Sequence, residues 1–181
     1  KRAVSLYLQK REYMKVNRVT DSFQEQSLSA EGYDTFFEKM MEICSAREID
    51  HTLGEELKNY ATVWLKENRL DSFDNYSDKA YSRTYIGRSA TGWEAIVMGW
   101  KRGNRTSIHS HPQFAAYNFA DGEFEIEIFE PAGDGRARLV ERMHITEPQS
   151  FYAIGKAGAF DNHIHRITCL SEQGHSLHIY S

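Results

Sequence analysis

The spacing of apolar positions divides the chain in two. Up to about residue 79 the repeat is helical: Phe36, Met40 and Ile43 or Cys44 recur after Asp34, a residue suited to an N-cap. Thr52-Leu53-Gly54-Glu55 has the form of a capping box, and Leu53, Leu57, Tyr60, Ala61 and Trp64 then share one face of a second helix. Residues 1–20 carry a weaker pattern compatible with a further helix, and residues 71–78 are polar and read as a loop. From about residue 80 the period becomes two. Residues 123–128 alternate polar and apolar, residues 176–180 alternate again, and residues 93–100 form a near-continuous apolar run, the mark of a strand buried on both faces. Ala120-Asp121-Gly122-Glu123 and Gly133-Asp134-Gly135 are turn signals. Many short strands broken by Gly and Asp predict a mainly β fold, a jelly-roll barrel carrying an N-terminal helical layer. The expected organisation is one domain over 1–181, with residues 1–79 mostly helical and 80–181 forming the barrel. No internal repeat or low-complexity segment interrupts it.

Composition adds exclusions. The 181 residues hold 22 Lys+Arg against 26 Asp+Glu, a net charge of −4, so no basic surface for nucleic acid is expected. Aromatic content of 13% and hydrophobic content of 40% suit a folded core. Cys44 and Cys169, the only two cysteines, read as reduced thiols of a cytoplasmic protein. The apolar stretch at residues 3–8 is short, is interrupted by Ser5 and runs into Gln9, Lys10 and Arg11. It reads as neither a signal peptide nor a membrane span. The chain does not begin with Met, so further residues are expected ahead of Lys1.

The candidate chemistry lies in residues 106–112, Thr-Ser-Ile-His-Ser-His-Pro, answered by His163-Ile164-His165-Arg166. Alternate residues of a strand share a face, so His109 and His111 point the same way. A third imidazole from a partner strand would complete a three-point cage for a divalent metal, with coordination positions left open. By the strand period alone, His163 and His165 are both eligible as that third donor. Imidazole suits iron, zinc, copper and nickel, so the donor type leaves the metal open. His51, His144 and His175 are read as ordinary surface or hydrogen-bonded core residues.

Gly103, five residues, His109-x-His111 and Gly122 resemble the first half of a cupin metal motif, except that Ala115 and Ala116 stand where most cupins place a Glu. The resemblance becomes specific over residues 80–181. WKRGNRTSIHSH (100–111) resembles the metal-binding segment of the cysteine dioxygenases, thiol dioxygenases of the cupin superfamily. YSRTYIGR (81–88) is similar to that family's substrate-holding segment, and HRITCLSEQGHSLHIYS (165–181) to its closing signature.

That resemblance implies a cofactor, a reaction and a set of roles. Ferrous iron would be held by His109, His111 and His165, the last preferred over His163 because Arg166 follows it directly. The reaction would oxidise a thiol to a sulfinic acid with dioxygen. Arg83 would hold the substrate carboxylate and Tyr81 would wall the same pocket. The related 3-mercaptopropionate dioxygenases carry Gln at that position, so Arg83 favours an amino acid such as cysteine. Ser176, His178 and Tyr180 would form a hydrogen-bonded row presenting the tyrosine hydroxyl to the metal pocket, and Trp100 would pack the pocket without taking part in chemistry. Some members cross-link a cysteine to that tyrosine; Ala115 or Ala116 stands there, as in bacterial-type members. Ser110 replaces the Asp of the best-known members, a change expected to alter the orientation of the histidines. The family usually continues beyond position 181 through a Pro-Pro pair. The expected partners are a small thiol amino acid and dioxygen, with no nucleic acid or membrane; the oligomeric state is not legible. A 3-mercaptopropionate or other small-thiol dioxygenase, a cupin isomerase or hydrolase, and a non-catalytic ligand-binding cupin are the alternative readings.

Overall fold

Strands claim most of the chain after residue 80, as the two-residue period requires. A computed structural model describes residues 13–15, 24–27 and 33–181. Within them lie α1 (Tyr33–Cys44) and α2 (His51–Glu67), then β3 (Ser82–Arg88), β4 (Glu94–Lys101), β5 (His109–His111), β6 (Phe114–Asp121), β7 (Phe124–Pro131), β8 (Arg136–Ile145), β9 (Gln149–Ile154), β10 (Asn162–Cys169) and β11 (Gln173–Tyr180). Two short strands precede the helices, β1 (Tyr13–Lys15) and β2 (Gln24–Ser27). One sheet has the order β1-β8-β7-β10-β5 and the other β2-β3-β4-β11-β6-β9. The two pack face to face as the expected jelly-roll barrel.

The parity of β4 and its neighbours β11 and β6 explains why residues 93–100 read as buried. Ala95, Val97, Leu177, Ile179 and Ala116 turn outward into a core shared with the helices. Ile96, Met98, Trp100, Ala115 and Tyr117 turn inward and meet Phe124, Ile126 and Ile167 of the opposite sheet. A central sheet covered on both sides must be apolar on both faces. Helix α1 lies on β3, and α2 on β6 and β9, with Phe36, Met40, Leu53, Leu57 and Ala61 fully buried beneath them. The approach of α2 is close: a Cβ on Gly54 would come within 2.4 Å of the Tyr152 ring, so a larger residue there would have to displace that ring. The predicted turn at Gly122 is present, with φ of +85°.

Three expectations in the N-terminal part are corrected. Helix α2 is capped by Asp50, whose Oδ1 accepts from Leu53 N at 2.8 Å, so the helix starts at His51 and Thr52 is not its cap. Asp already satisfies an orphan N–H there, and the Thr52 pattern falls within the first turn. Asp34 likewise lies inside α1 and not ahead of it. Tyr13–Lys15 is a strand paired antiparallel with β8, and Gln24–Ser27 pairs in parallel with β3. The expected helix over residues 1–20 is therefore absent at 13–15; its remainder, with the apolar stretch 3–8, lies outside the described residues. Segments of three and four residues are too short to show a period, and what recruits them is the unpaired edge of a sheet.

Candidate metal centre

β5 and β10 bring the histidines together, and an irregularity in β10 decides which ones. The two strands are antiparallel, with Asn162 opposite His111. In a regular ladder the residue opposite His109 would then be Ile164. Instead His165 stands there, because β10 carries one extra residue at this point. His163 absorbs it in the left-handed region, at φ of +37°. The bulge exchanges the faces of β10, turning His165 inward beside Ile128 and Ile167, while Arg166 points outward to Glu127. The possible ligand atoms of His109, His111 and His165 all lie within 4.8 Å of one another. His163 stands outside this group, its ring between Tyr117 and Phe151 with centroids 5.4 and 5.6 Å away.

Hydrogen bonds select the nitrogen each ring presents. His165 Nδ1 lies 2.7 Å from the His163 carbonyl and His109 Nδ1 lies 3.0 Å from the Ser107 carbonyl. A carbonyl only accepts, so both Nδ1 atoms carry the proton and both Nε2 atoms present a lone pair. Nε2 of His165 and of His111 are buried with no hydrogen-bond partner. Each such atom costs about 1–3 kcal/mol when left unsatisfied, and a divalent cation at the point of convergence removes that cost. Burial, and then the neighbouring imidazoles, push His111 and His165 well below the ordinary histidine value and keep them in the neutral form a metal needs. The donor set fits a divalent metal with open positions. Asn162 clamps β5 from the side: its Oδ1 accepts from His111 N at 3.1 Å and its Nδ2 donates to Gln113 O at 2.8 Å.

The three imidazoles border a chamber of about 170 Å³ inside the barrel, which Arg83, Glu94, Tyr81 and Tyr180 also line. Tyr180 lies flat on His111, with ring centroids 3.9 Å apart. Its hydroxyl is 2.6 Å from His178 Nδ1, and His178 Nε2 is 2.7 Å from Ser176 Oγ. Ser176 Oγ in turn accepts from Trp100 Nε1 at 2.9 Å, and this contact fixes the direction of the row. An indole N–H only donates, so among the described residues the acceptor for the Ser176 proton is His178 Nε2. His178 then carries its proton on Nδ1 and donates it to the Tyr180 oxygen. The Tyr180 O–H is left to donate toward the chamber. Burial, then Arg83 and His109, lower the His178 pKa to about 3, so the ring is neutral, as this pattern requires. Burial also drives the Tyr180 phenol well above its ordinary value, keeping it protonated.

These features meet at a family match. The model of the family described as cysteine dioxygenase type I matches residues 14–181. The chain belongs to that family. A search of curated proteins finds no match. Among solved structures the chain is similar to a cupin superfamily protein from Desulfitobacterium hafniense, at 13% identity over 62% of this chain and 87% of that one, with a TM-score of 0.48. It is similar also to a conserved protein with a double-stranded β-helix domain from Klebsiella pneumoniae, at 14% identity over 63% and 90%, with a TM-score of 0.46.

Set beside the cysteine dioxygenase pattern, the residues singled out for the site line the chamber or, for Ser176 and Trp100, join it through the hydrogen-bonded row. Two readings change. Trp100 is more than packing, because its N–H orients the Ser176 hydroxyl; the indole stacks on Tyr81 at 4.5 Å and could not be read as a donor from sequence. Ser110 lines the chamber between the two histidines, but its hydroxyl donates to the Phe160 carbonyl at 2.7 Å and ties the 155–161 loop to the chamber mouth. Of the two alanines, Ala115 is the one opposite Tyr180 on the inner face, so no thiol stands beside the tyrosine. Sequence reasoning missed Glu94 and Asn162; a Glu heading an otherwise apolar strand was a usable signal for the first, and nothing marked the second.

Proposed function

We propose that the chamber is a non-haem iron site that oxidises L-cysteine to cysteine sulfinic acid with dioxygen. The observation that carries this reading is the convergence, in one chamber, of three neutral imidazole donors with Arg83 and the Tyr180 hydroxyl. His109, His111 and His165 would hold the metal through Nε2. Ferrous iron, when bound, supplies the redox chemistry by which dioxygen reacts with a thiolate. In the overall conversion the O–O bond breaks, two S–O bonds form and both oxygen atoms end on sulfur.

The chain's own residues bind and orient. With no carboxylate among the ligands, the site keeps the full charge of a divalent ion and favours the thiolate form of the substrate. Arg83 takes the substrate carboxylate with its guanidinium fork and so fixes where the sulfur lies. Tyr180 offers its hydroxyl proton into the chamber, held in that direction by His178, Ser176 and Trp100. Met98 and Ile167 supply apolar wall, which keeps water from the reacting groups. Two buried, unbridged cysteines suit a reducing, cytoplasmic setting. No helix among the described residues is long and apolar enough to cross a membrane.

The test is anaerobic loading with ferrous iron, followed by oxygen uptake and product analysis with L-cysteine, 3-mercaptopropionate and cysteamine. Stoichiometric uptake with sulfinate formed from L-cysteine is expected. Uptake with 3-mercaptopropionate alone would keep the chemistry and overturn the substrate. Absence of uptake with every thiol, in protein that holds iron, would move the reading to an isomerase, a hydrolase or a binding protein.

A further inference from the structure

The chamber wall sets an acid beside its guanidinium. Glu94 opens β4, opposite Arg88 of β3 on one side and Tyr180 of β11 on the other. Its Oε1 lies 3.8 Å from Arg83 Nη2, a charge contact too long for a hydrogen bond, whereas its Oε2 accepts from Arg88 Nε at 3.3 Å. Arg83 is sheltered, with 16% of its side chain exposed, while Arg88 is 54% exposed and does not line the chamber. Both guanidinium groups lie over the Tyr85 ring, Arg88 at 3.5 Å and Arg83 at 5.3 Å from its centroid. Glu94 is thus tethered from outside and held just short of Arg83.

We propose that Glu94 is a specificity-determining residue that weakens the hold of Arg83 on a substrate carboxylate, and that Arg88 sets how strongly it does so. The proposal rests on the reading of Arg83 as the carboxylate anchor. A sheltered guanidinium is stabilised by nearby negative charge, and Glu94 at 3.8 Å contributes such a charge to Arg83. An arriving carboxylate must share Arg83 with Glu94, and the two like charges repel across the guanidinium. Were Arg88 absent, Glu94 would be free to close on Arg83 and compete more strongly. The wall is therefore matched to a ligand that carries its own carboxylate and has further attachment at the metal, and it rejects simple carboxylates that have Arg83 alone to hold them.

The experiment is anaerobic calorimetric titration of L-cysteine into the iron-loaded protein, with 2-mercaptoethanol as a thiol bearing no carboxylate. The proteins are the parent, Glu94→Gln, Arg88→Gln, the double variant and Arg83→Gln. Glu94→Gln should tighten L-cysteine by about three- to tenfold, the scale of one nearby charge at a partly exposed site, and leave 2-mercaptoethanol unchanged. Arg88→Gln should weaken L-cysteine when Glu94 is present and have no effect in the double variant. Unchanged or weaker L-cysteine binding in Glu94→Gln would overturn the proposal, as would an equal gain for 2-mercaptoethanol. Binding needs no turnover, so failure of the dioxygenase reading shows separately, as a parent that binds L-cysteine in this pattern yet consumes no oxygen with it.

Discussion

Replacing His163 by Gly and, separately, by Ala isolates the backbone bulge that turns His165 into the chamber. Both substitutions remove the same ring, so the loss of its contacts with Tyr117 and Phe151 cancels in the comparison. What differs is the tolerance of φ at +37°. An L-residue in the left-handed region costs roughly 1–2 kcal/mol. Glycine avoids that cost but gives up about 0.5–1 kcal/mol of chain entropy on folding. The net expectation is that His163→Gly is more stable than His163→Ala by about 1 kcal/mol. In a chain of this size that corresponds to a melting temperature about 2–4 °C higher. The same bulge aims the His163 carbonyl at His165 Nδ1, 2.7 Å away, so strain relieved by moving the carbonyl should loosen the imidazole. Metal affinity should be kept in the Gly variant and fall by about tenfold in the Ala variant, the lower range for loss of an orienting partner. Thermal melts and ferrous-iron titrations of the three proteins measure both quantities. An Ala variant as stable as the Gly variant would refute the strain argument. Loss of metal from His163→Gly would refute the choice of His165 by making His163 the ligand.

Three further outcomes rest on the same geometry. Arg83→Gln should lower kcat/KM for L-cysteine by about 10–100-fold, the loss of a charged hydrogen-bonded pair, and should barely affect cysteamine, which has no carboxylate; oxygen-uptake kinetics with both thiols decide it. Tyr180→Phe should keep bound iron and KM, because the ring still lies on His111, while kcat per iron falls by at least about 100-fold through loss of the proton donor; an undiminished kcat would remove Tyr180 from the chemistry. His175 is a buried histidine away from the chamber with two carboxylate partners, 2.9 Å from Asp121 and 2.6 Å from Asp74. Burial alone would lower its pKa, but the hydrogen bonds and charges of Asp121 and Asp74 outweigh it and leave the pKa above the ordinary 6.5. A group whose pKa is raised by folding contributes stability that is complete below its unfolded value and fades as pH rises through the folded one. The melting-temperature advantage of the parent over His175→Gln should therefore be largest below about pH 6.5 and shrink at higher pH; an advantage that grows with pH would refute the pairing.

The order of chemical groups along this chain was legible because it depends on local rules. The two-residue period puts His109 with His111, and Ser176 with His178 and Tyr180, on shared faces whatever the rest of the fold does. The apolar run of β4 announced a strand covered on both sides, the alternation in β11 announced a strand without showing that both its faces are covered, and the helical spacing from Phe36 to Trp64 announced the covering layer. Four matters were decided only by tertiary structure. The strand period leaves His163 and His165 equal, and only the family pattern favoured His165; the physical reason that His165 joins His109 and His111 is one extra residue in β10, a bulge that leaves no mark in composition. The direction of the Ser-His-Tyr row depends on Trp100, 76 positions before Ser176, whose N–H reaches the hydroxyl only once β4 and β11 are paired. The standing of Glu94 beside Arg83 depends on the register of β3 against β4. The β1 and β2 strands exist because sheet edges recruit them, not because their residues prefer it. Sequence sets which face a side chain takes relative to its neighbours on the same strand. Register, bulges and long-range donors set what that face meets, because those are properties of two segments together and are written in neither alone.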